Sequence, residues 1–276
     1  MRNVLKFTSV LATAGLALSV AACSSSSSSS GAADPNKPLT VIASPTPHAQ
    51  ILEYIQKNLA DKAGLKLDVK VVTDYVTPNT AVQDGSADAN YFQHVPYLDD
   101  FNKKHGTDIV SVEAVHLEPL GLYSKKVKAV TELADGATVG LPNDATNEGR
   151  ALKLLADNNV ITLKAGAGTA ATPADVTGNP KHLKWKELDA AQLPRSIADL
   201  DAAVINGNYA LDSGLHPATD AILLEKAAGN PYANILAVKK GKENDPRVQK
   251  LAQLLHSDEV KKYIDDTFKG SVTPAF

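Results

Sequence analysis

The sequence has a single cysteine, Cys23, among its 276 residues. An internal disulfide is therefore excluded, and so is a zinc site built from several thiolates. Long apolar runs are also missing. The run from Phe7 to Ala22 has sixteen residues, short of the ~20 that a membrane-spanning helix needs, and no later run approaches that length. Lysine and arginine number 28 against 31 acidic residues and form no basic stripe, which argues against a nucleic-acid partner.

Sequence signatures of common enzymes are missing as well. The chain has no G-x-S-x-G nucleophile turn, no H-E-x-x-H zinc-protease helix and no G-x-x-x-x-G-K-[ST] phosphate loop. Its seven histidines include no pair at a metal-ligand spacing on one helix. The sequence therefore predicts a protein that is not an enzyme and that has no cofactor and no resident metal.

The first 22 residues have the order of a secretory signal peptide. Two basic residues, Arg2 and Lys6, precede the apolar run, and small residues precede Cys23. The segment LSVAAC resembles the lipobox of bacterial lipoproteins, whose cysteine receives a diacylglycerol and becomes the mature N-terminus. We therefore predict a signal peptide over 1–22 and a lipid anchor on Cys23, with acyl chains such as palmitate. The protein is then expected on the extracytoplasmic face of the cell membrane.

A serine-rich segment follows the cysteine. Seven consecutive serines, Ser24–Ser30, are followed by Gly, Ala, Asp, Asn, Lys and Pro residues up to residue 38. Such a composition cannot bury a core, so residues 23–38 are predicted to be a flexible tether with a reach of roughly 20 Å. That reach would let a globular body move over a membrane-embedded partner.

Strand and helix patterns alternate along the rest of the chain. Leu39–Ala43 is typical of a buried strand, and Leu67–Val71 alternates like a half-buried strand. Between them, a helix is predicted to begin at Thr46 and Pro47 and to end at Gly64. Strand, helix and strand within about thirty residues indicate a parallel crossover unit.

The same pattern repeats downstream. Two α/β blocks of about a hundred residues each indicate two domains, and ligands usually lie in the cleft between such domains. A surface loop rich in Gly, Ala, Thr and Pro is predicted over 165–180. Helices are predicted near 79–83, 95–104, 147–158 and 246–268, and strands near 109–115, 138–141, 202–205 and 234–238.

Five segments in a fixed order are the most distinctive part of the sequence. They are TDYVTPNTAVQDGSADANYFQHVPYLDDF, EPLGLYSKKVK, GATVGLPNDATNEGRALKLL, LDAAQLPRS and AAVINGNYA. Together they resemble the methionine-binding lipoproteins of ABC importers, the NlpA lipoprotein family, over essentially all of the chain after the tether. The resemblance implies an α/β, two-domain, type II periplasmic-binding-protein-like fold with the ligand cleft between the domains. Domain I would take 39–122 plus 232–276, and domain II would take 123–231.

The resemblance also implies a function. The protein would be a monomeric substrate-binding protein that captures methionine, L and possibly D, and delivers it to an ABC permease driven by a cytoplasmic ATPase. A different ligand, such as a methionine-containing dipeptide or another apolar amino acid, is an open alternative. Two others are a surface adhesin and a zinc-binding lipoprotein that uses His48, His94 and His116. Glu118 is predicted to line the cleft.

A ligand carboxylate needs hydrogen-bond donors, which Pro142–Leu152 offers. This segment joins a strand to a helix N-terminus, where free N–H groups and the helix dipole favour an anion. Arg150 lies near the first turn, where a cation opposes the dipole, so either a bidentate hold on a ligand carboxylate or an ion pair with Glu148 or another nearby acid would explain it. Through the resemblance, Arg150 and Asn147 are predicted to bind the ligand, and Asn143 is a further candidate.

Asn206 follows the predicted strand 202–205 and precedes Gly207. Asn-Gly is a good turn pair, so a role as a turn residue is the alternative. In the resembling proteins, the asparagine at this motif position contacts the amino-acid backbone of the ligand. Asn206 is therefore predicted to bind the ligand.

Aromatic residues are few, yet four of them lie within the fourteen residues from Asp88 to Phe101. Tyr97 and Phe101, at a spacing of four, are predicted to be core contacts of a helix. The others are predicted to lie on a loop after a strand and to contribute to an apolar slot for the methionine thioether. The residues predicted for this slot are Tyr75, Tyr91, Phe92 and His94.

Overall fold

The structure is a computed structural model that describes residue 34 and residues 37–276. The predicted signal peptide, the predicted lipid anchor on Cys23 and most of the predicted tether lie outside the described residues. Within the described part, no helix is both long enough and apolar enough to cross a membrane.

The described residues alternate between strands and helices along the whole chain. The strands are β1 (Leu39–Ala43), β2 (Leu67–Val71), β3 (Ala89–His94), β4 (Ile109–Leu117), β5 (Gly121–Tyr123), β6 (Thr138–Pro142), β7 (Thr162–Leu163), β8 (Val176–Gly178), β9 (Lys184–Leu188), β10 (Ala202–Ile205), β11 (Leu223–Leu224), β12 (Ala233–Lys239) and β13 (Thr273–Pro274). The α-helices are α1 (Gln50–Asn58), α2 (Thr77–Asp84), α3 (Val95–His105), α4 (Ala145–Asp157), α5 (Leu193–Ser196), α6 (Gly207–Asp212), α7 (Pro217–Asp220), α8 (Pro246–Leu255) and α9 (Asp258–Phe268).

The first sheet has six strands in the order β13-β4-β12-β3-β1-β2. Strand β1 pairs in parallel with β2 and β3, as the predicted crossover unit requires, and β12 returns antiparallel between β3 and β4. Apolar clusters lie on both faces. One packs β1 against α1, α8 and α9 through residues such as Ile55, Leu251 and Ile264, and the other packs β1 and β12 against α2 and α3 through Val82 and Leu98.

All six residues of β3 are buried, because helices cover both faces of the sheet. A strand in this setting loses the alternation of apolar and polar residues. Its polar side chains are satisfied internally: Asn90 Nδ2 donates to Asn79 Oδ1 at 2.9 Å, and Gln93 Nε2 donates to the same oxygen at 2.7 Å. The loop predicted for Tyr91, Phe92 and His94 is therefore wrong, since all three residues lie within strand β3.

The second sheet has five strands in the order β11-β5-β10-β6-β9. Strand β6 is parallel to both β9 and β10, and β5 is antiparallel to β10. The core packs Leu152 and Leu155 of α4 against Val139 and Leu141 of β6. Because β5 belongs to this sheet, the second sheet begins at Gly121, two residues before the predicted start of domain II. The predicted domain boundaries themselves stay a prediction.

Several predicted element boundaries differ from the structure. The helix predicted from Thr46 begins at Gln50, because Thr46 has extended dihedral angles and residues 45–49 form a separate turn. The helix predicted over 246–268 is two helices, since the Ser257 side chain accepts a hydrogen bond from Val260 N and starts α9. The loop predicted over 165–180 contains two short 3-10 turns and strand β8.

Candidate ligand-binding site

A cavity lies where elements of the two sheets face each other. Its atom-free space is about 330 Å³, counting the part that is open to solvent. Residues from β3, α3, β12 and the loop before α2 meet residues from α4 and from the β10–α6 junction. The cavity is lined by Tyr75, Phe92, Gln93, His94, Tyr97, Glu118, Asn147, Arg150, Asn206, Gly207, Asn208 and Asn234.

Helix α4 carries the predicted carboxylate-binding residues. Asp144 caps its N-terminus by accepting hydrogen bonds from the backbone and side-chain nitrogens of Asn147, both at 3.0 Å. This cap fixes the Asn147 amide with its oxygen toward the cavity, where Asn206 Nδ2 donates to it at 2.9 Å. Asn147 and Arg150 therefore line the cavity together, whereas Asn143 is exposed and lies outside it; their contacts with a ligand stay a prediction.

Arg150 is buried and paired. Its Nε donates to Glu225 Oε1 at 3.0 Å, and its Nη2 donates to Glu225 Oε2 at 2.5 Å and to the backbone oxygen of Glu118 at 3.0 Å. The guanidinium carbon lies 4.1 Å from the centroid of the Tyr232 ring. Arg150 was expected to hold a ligand carboxylate through two parallel bonds, but it makes these two bonds to Glu225. Its Nη1 atom takes part in none of the three bonds.

Two buried amide atoms of the segment after β10 lack a partner. Among the described residues, Asn206 Oδ1 and Asn208 Nδ2 are buried side-chain atoms without a hydrogen bond. The other atoms of these amides are engaged, because Asn206 Nδ2 donates to Asn147 and Asn208 Oδ1 accepts from Tyr75 at 2.5 Å. An unpaired acceptor and an unpaired donor thus lie two residues apart in the cavity lining, and burying them without a partner costs free energy.

Aromatic side chains form one side of the cavity. The ring centroid of Tyr75 lies 5.8 Å from that of Phe92 and 5.7 Å from that of Tyr97. Tyr75 and Phe92 therefore line the cavity, and Tyr97, which was predicted to be a core contact of a helix, joins them. These rings offer apolar edges to which a thioether binds favourably.

His94 also lines the cavity, and it is neutral. Burial, helped by the charge of Arg150, lowers its pKa to about 3. Its Nδ1 accepts from Tyr97 N at 3.2 Å, so Nε2 carries the proton and donates to Asn147 Oδ1 at 3.3 Å. His94 therefore presents an uncharged donor ring rather than a metal ligand.

Tyr91 is the predicted slot residue that lies outside the cavity lining. Successive side chains of a strand point to opposite faces, so Phe92 faces the cavity while Tyr91 packs into the core against α1. Its hydroxyl is hydrogen-bonded to His116 Nδ1. The structure thus gives Tyr91 core contacts and a buried hydrogen bond instead of a place in the predicted slot.

A second cluster of polar residues lies beside Tyr91. His48, His116 and Glu118 offer ligand atoms within 4.8 Å of one another, and all three residues are buried. Among the described residues, these three could supply nitrogen and oxygen ligands to a metal ion. The zinc alternative named His94 as the third ligand, but His94 is not in this group, and Glu118 takes that position.

Several lining residues were missing from the predicted site. Asn208 could have been found, because it lies in the same AAVINGNYA segment as Asn206. Gln93 sits between two predicted residues but was assigned to a loop. Asn234 comes from β12, more than a hundred residues after β3, and no local pattern in the sequence connects the two.

Comparison with known proteins settles the family. The profile of the NlpA lipoprotein family matches residues 39–276. The chain belongs to the NlpA lipoprotein family. This NlpA protein is 42% identical over 260 residues to the methionine-binding lipoprotein MetQ of Bacillus subtilis, which covers 92% of this chain and 93% of the relative.

Solved structures agree with this assignment. A nutrient-binding protein from Burkholderia cenocepacia bound to methionine is 47% identical, with a TM-score of 0.83 over 86% of this chain and 100% of that chain. A periplasmic substrate-binding protein of an ABC transporter from Coxiella burnetii is 43% identical, with a TM-score of 0.82 over 86% and 100%. The predicted fold class is therefore confirmed, and these relatives are named as substrate-binding proteins rather than enzymes.

Proposed function

We propose that this NlpA protein is the substrate-binding protein of an ABC importer and that methionine is its ligand. Cys23 would carry the lipid anchor on the extracytoplasmic face of the membrane, and a permease with its cytoplasmic ATPase would receive the ligand. The methionine-binding name of the Bacillus subtilis relative and the methionine-bound Burkholderia cenocepacia structure support this proposal.

The observation that carries the proposal is the pair of unpartnered amide atoms in the cavity lining. Asn208 Nδ2 is a buried donor and Asn206 Oδ1 is a buried acceptor, and neither has a hydrogen bond among the described residues. An amino acid offers a carboxylate to the donor and an ammonium to the acceptor, which would remove both desolvation costs. Arg150 Nη1 is available as a second donor to the carboxylate.

The aromatic side chains suit the third part of methionine. A thioether beside the edges of Tyr75, Phe92 and Tyr97 would gain about 0.3–1.5 kcal/mol for each sulfur–ring contact, in addition to the burial of its methylene groups. The cavity thus matches the carboxylate, the ammonium and the apolar side chain of one zwitterion.

A methionine-containing dipeptide is the alternative ligand, and one observation supports it. A second cavity, with about 1060 Å³ of atom-free space when the part open to solvent is counted, borders the first at Arg150 and is lined by Glu225 and Tyr232. A longer ligand could extend past Arg150 into this space. Mass spectrometry of the ligand released from the purified protein by denaturation distinguishes an amino acid from a dipeptide.

Calorimetry tests the proposal. The full chain, purified in detergent, is titrated with L-methionine and with D-methionine, and an exothermic or endothermic saturating isotherm is expected for at least one stereoisomer. Leucine is the control for a ligand of similar size without sulfur. Heats equal to those of buffer for both stereoisomers, with ligand-free protein verified by mass spectrometry, would reject methionine as the ligand.

A further inference from the structure

Glu118 is a buried carboxylate at the edge of the cavity, between β4 and β5. Its side chain is only 6% exposed. Its Oε1 lies 2.8 Å from His116 Nε2 and 3.2 Å from His48 Nε2. The backbone N–H of Asn208 also donates to the carboxylate, so His116 and Asn208 are hydrogen-bond donors to it and His48 Nε2 lies beside it.

The two histidines are neutral donors. Burial lowers the pKa of His48 to about 4 and that of His116 to about 3. His48 Nε2 also lies 2.9 Å from Asn234 Oδ1, and because both of its neighbours are acceptors, Nε2 carries the proton. Neutral N–H donors stabilise a buried anion but do not cancel its charge.

The protein supplies no direct cationic partner for this carboxylate. Among the described residues, no lysine or arginine nitrogen lies within 4 Å of it. Arg150 reaches only the backbone oxygen of Glu118 and is already paired with Glu225. Burial raises the pKa of Glu118, which means that the anion is held at a cost that a nearby cation would relieve.

We propose that Glu118 forms an ammonium subsite: its carboxylate pairs with the ammonium group of the ligand, and His48 and His116 position that carboxylate. Asn206 Oδ1, the unpartnered acceptor two residues before Asn208, is the second acceptor of the subsite. The inference rests on the proposed amino-acid ligand and adds the group that selects for its positive end.

Gly207 explains how the carboxylate is kept in place. A Cβ atom at position 207 would lie 2.7 Å from Glu118 Cβ and 3.0 Å from Glu118 Oε2. Any larger residue there must push the Glu118 side chain away from its donors. Gly207→Ala therefore displaces the carboxylate without removing its charge.

A metal ion is the competing occupant of the same atoms. The donor geometry favours the ammonium, because both Nε2 atoms are engaged as N–H donors: His116 Nε2 donates to Glu118 Oε1 at 2.8 Å and His48 Nε2 donates to Asn234 Oδ1 at 2.9 Å. A metal would require both Nε2 atoms to be unprotonated and aimed at a common centre. Stoichiometric zinc in the purified chain that is lost on Glu118→Gln would overturn the ammonium subsite.

The test compares two ligands on four proteins. Wild-type chain, Glu118→Gln, Gly207→Ala and the exposed control Glu53→Gln are titrated with methionine and with 4-(methylthio)butanoate, which is methionine without its ammonium group. Removing one partner of a buried charge pair should weaken methionine binding by about 30-fold or more in Glu118→Gln. The same variant should bind the butanoate within about threefold of wild type, and Glu53→Gln should bind both ligands like wild type.

The outcomes separate the two proposals. Equal losses for both ligands in Glu118→Gln, or no loss for either, would overturn the ammonium subsite while methionine binding by wild type stands. If Glu118→Gln does not fold, the wild-type chain still decides, because a butanoate that binds as tightly as methionine contradicts the subsite. A wild-type chain that binds no methionine would instead overturn the proposed function.

Discussion

Arg150 and Glu225 form a bidentate ion pair, in which Arg150 Nε lies 3.0 Å from Glu225 Oε1 and Arg150 Nη2 lies 2.5 Å from Glu225 Oε2. Although burial raises the pKa of Glu225, the hydrogen bond and charge of Arg150 hold it below its usual value. The pair joins α4 to the segment after β11 and fixes the guanidinium plane beside the Tyr232 ring. The orientation of Arg150 in the cavity is therefore set by the protein before any ligand arrives.

Arg150→Lys should weaken methionine binding at least about tenfold, or about 1.4 kcal/mol. Lysine keeps the positive charge but cannot hold Glu225 through two parallel bonds and present a third nitrogen to the cavity. Calorimetry with methionine measures the loss. Arg247→Lys is the matched control, since Arg247 pairs with Asp88 and Asp245 and does not line the cavity. Wild-type affinity in Arg150→Lys would contradict this role.

Asn208→Asp should weaken methionine binding by about 10–100-fold. The substitution keeps the shape but replaces the unpartnered donor Nδ2 with an acceptor that repels the ligand carboxylate. The dissociation constants of methionine from wild type and from Asn208→Asp, measured by calorimetry, give the size of this effect. Asn244→Asp makes the same chemical change at an exposed position and should bind like wild type. Unchanged affinity in Asn208→Asp would show that its amide nitrogen does not contact the ligand.

The sequence predicts the parts of this protein that depend on local patterns. Crossover units follow from runs such as Leu39–Ala43, and Asn147 and Arg150 follow from their position at a helix start in a recognised segment. Tyr91 was misplaced because β3 is buried on both faces, so its sequence does not tell which side chain faces the cavity. Asn234 and the partner of Arg150, Glu225, come from distant parts of the chain, and only the sheet order and the packing bring them to the site.

Tyr91→Phe should leave methionine binding within about threefold of wild type and lower the free energy of unfolding by about 1–2 kcal/mol. The ring stays packed in the core, but His116 Nδ1 loses its buried partner. Urea denaturation and calorimetry measure the two quantities. Tyr75→Phe is the counterpart in the cavity: it frees Asn208 Oδ1 and should weaken binding. A large loss of binding in Tyr91→Phe would restore the predicted place of Tyr91 in the slot.

The free energy of unfolding should fall as the pH drops from 7 toward 5. Burial lowers the pKa of His48 to about 4 and the pKa values of His94 and His116 to about 3, so these rings take up protons near pH 6.5 only when the chain unfolds. The unfolded state then binds more protons, and stability falls by up to about 1.4 kcal/mol per pH unit for each histidine. The raised pKa values of Glu118, of Glu148 (to about 7) and of Asp212 act in the opposite sense and make this fall shallower.

Urea denaturation at pH 7, 6 and 5 measures this slope. His94→Asn should reduce the slope by about one proton, because the His94 ring is buried and neutral in the folded chain. A slope in His94→Asn equal to that of wild type would contradict the neutral, buried state of His94.

A crystal structure of the full chain grown with methionine tests the central claim most directly. The account predicts one methionine in the cavity, with its carboxylate at Asn208 Nδ2 and Arg150 Nη1, its ammonium at Asn206 Oδ1 and Glu118, and its sulfur beside Tyr75, Phe92 and Tyr97. Methionine bound at another place, or a cavity in which Asn206 and Asn208 pair with each other and exclude the ligand, would contradict it.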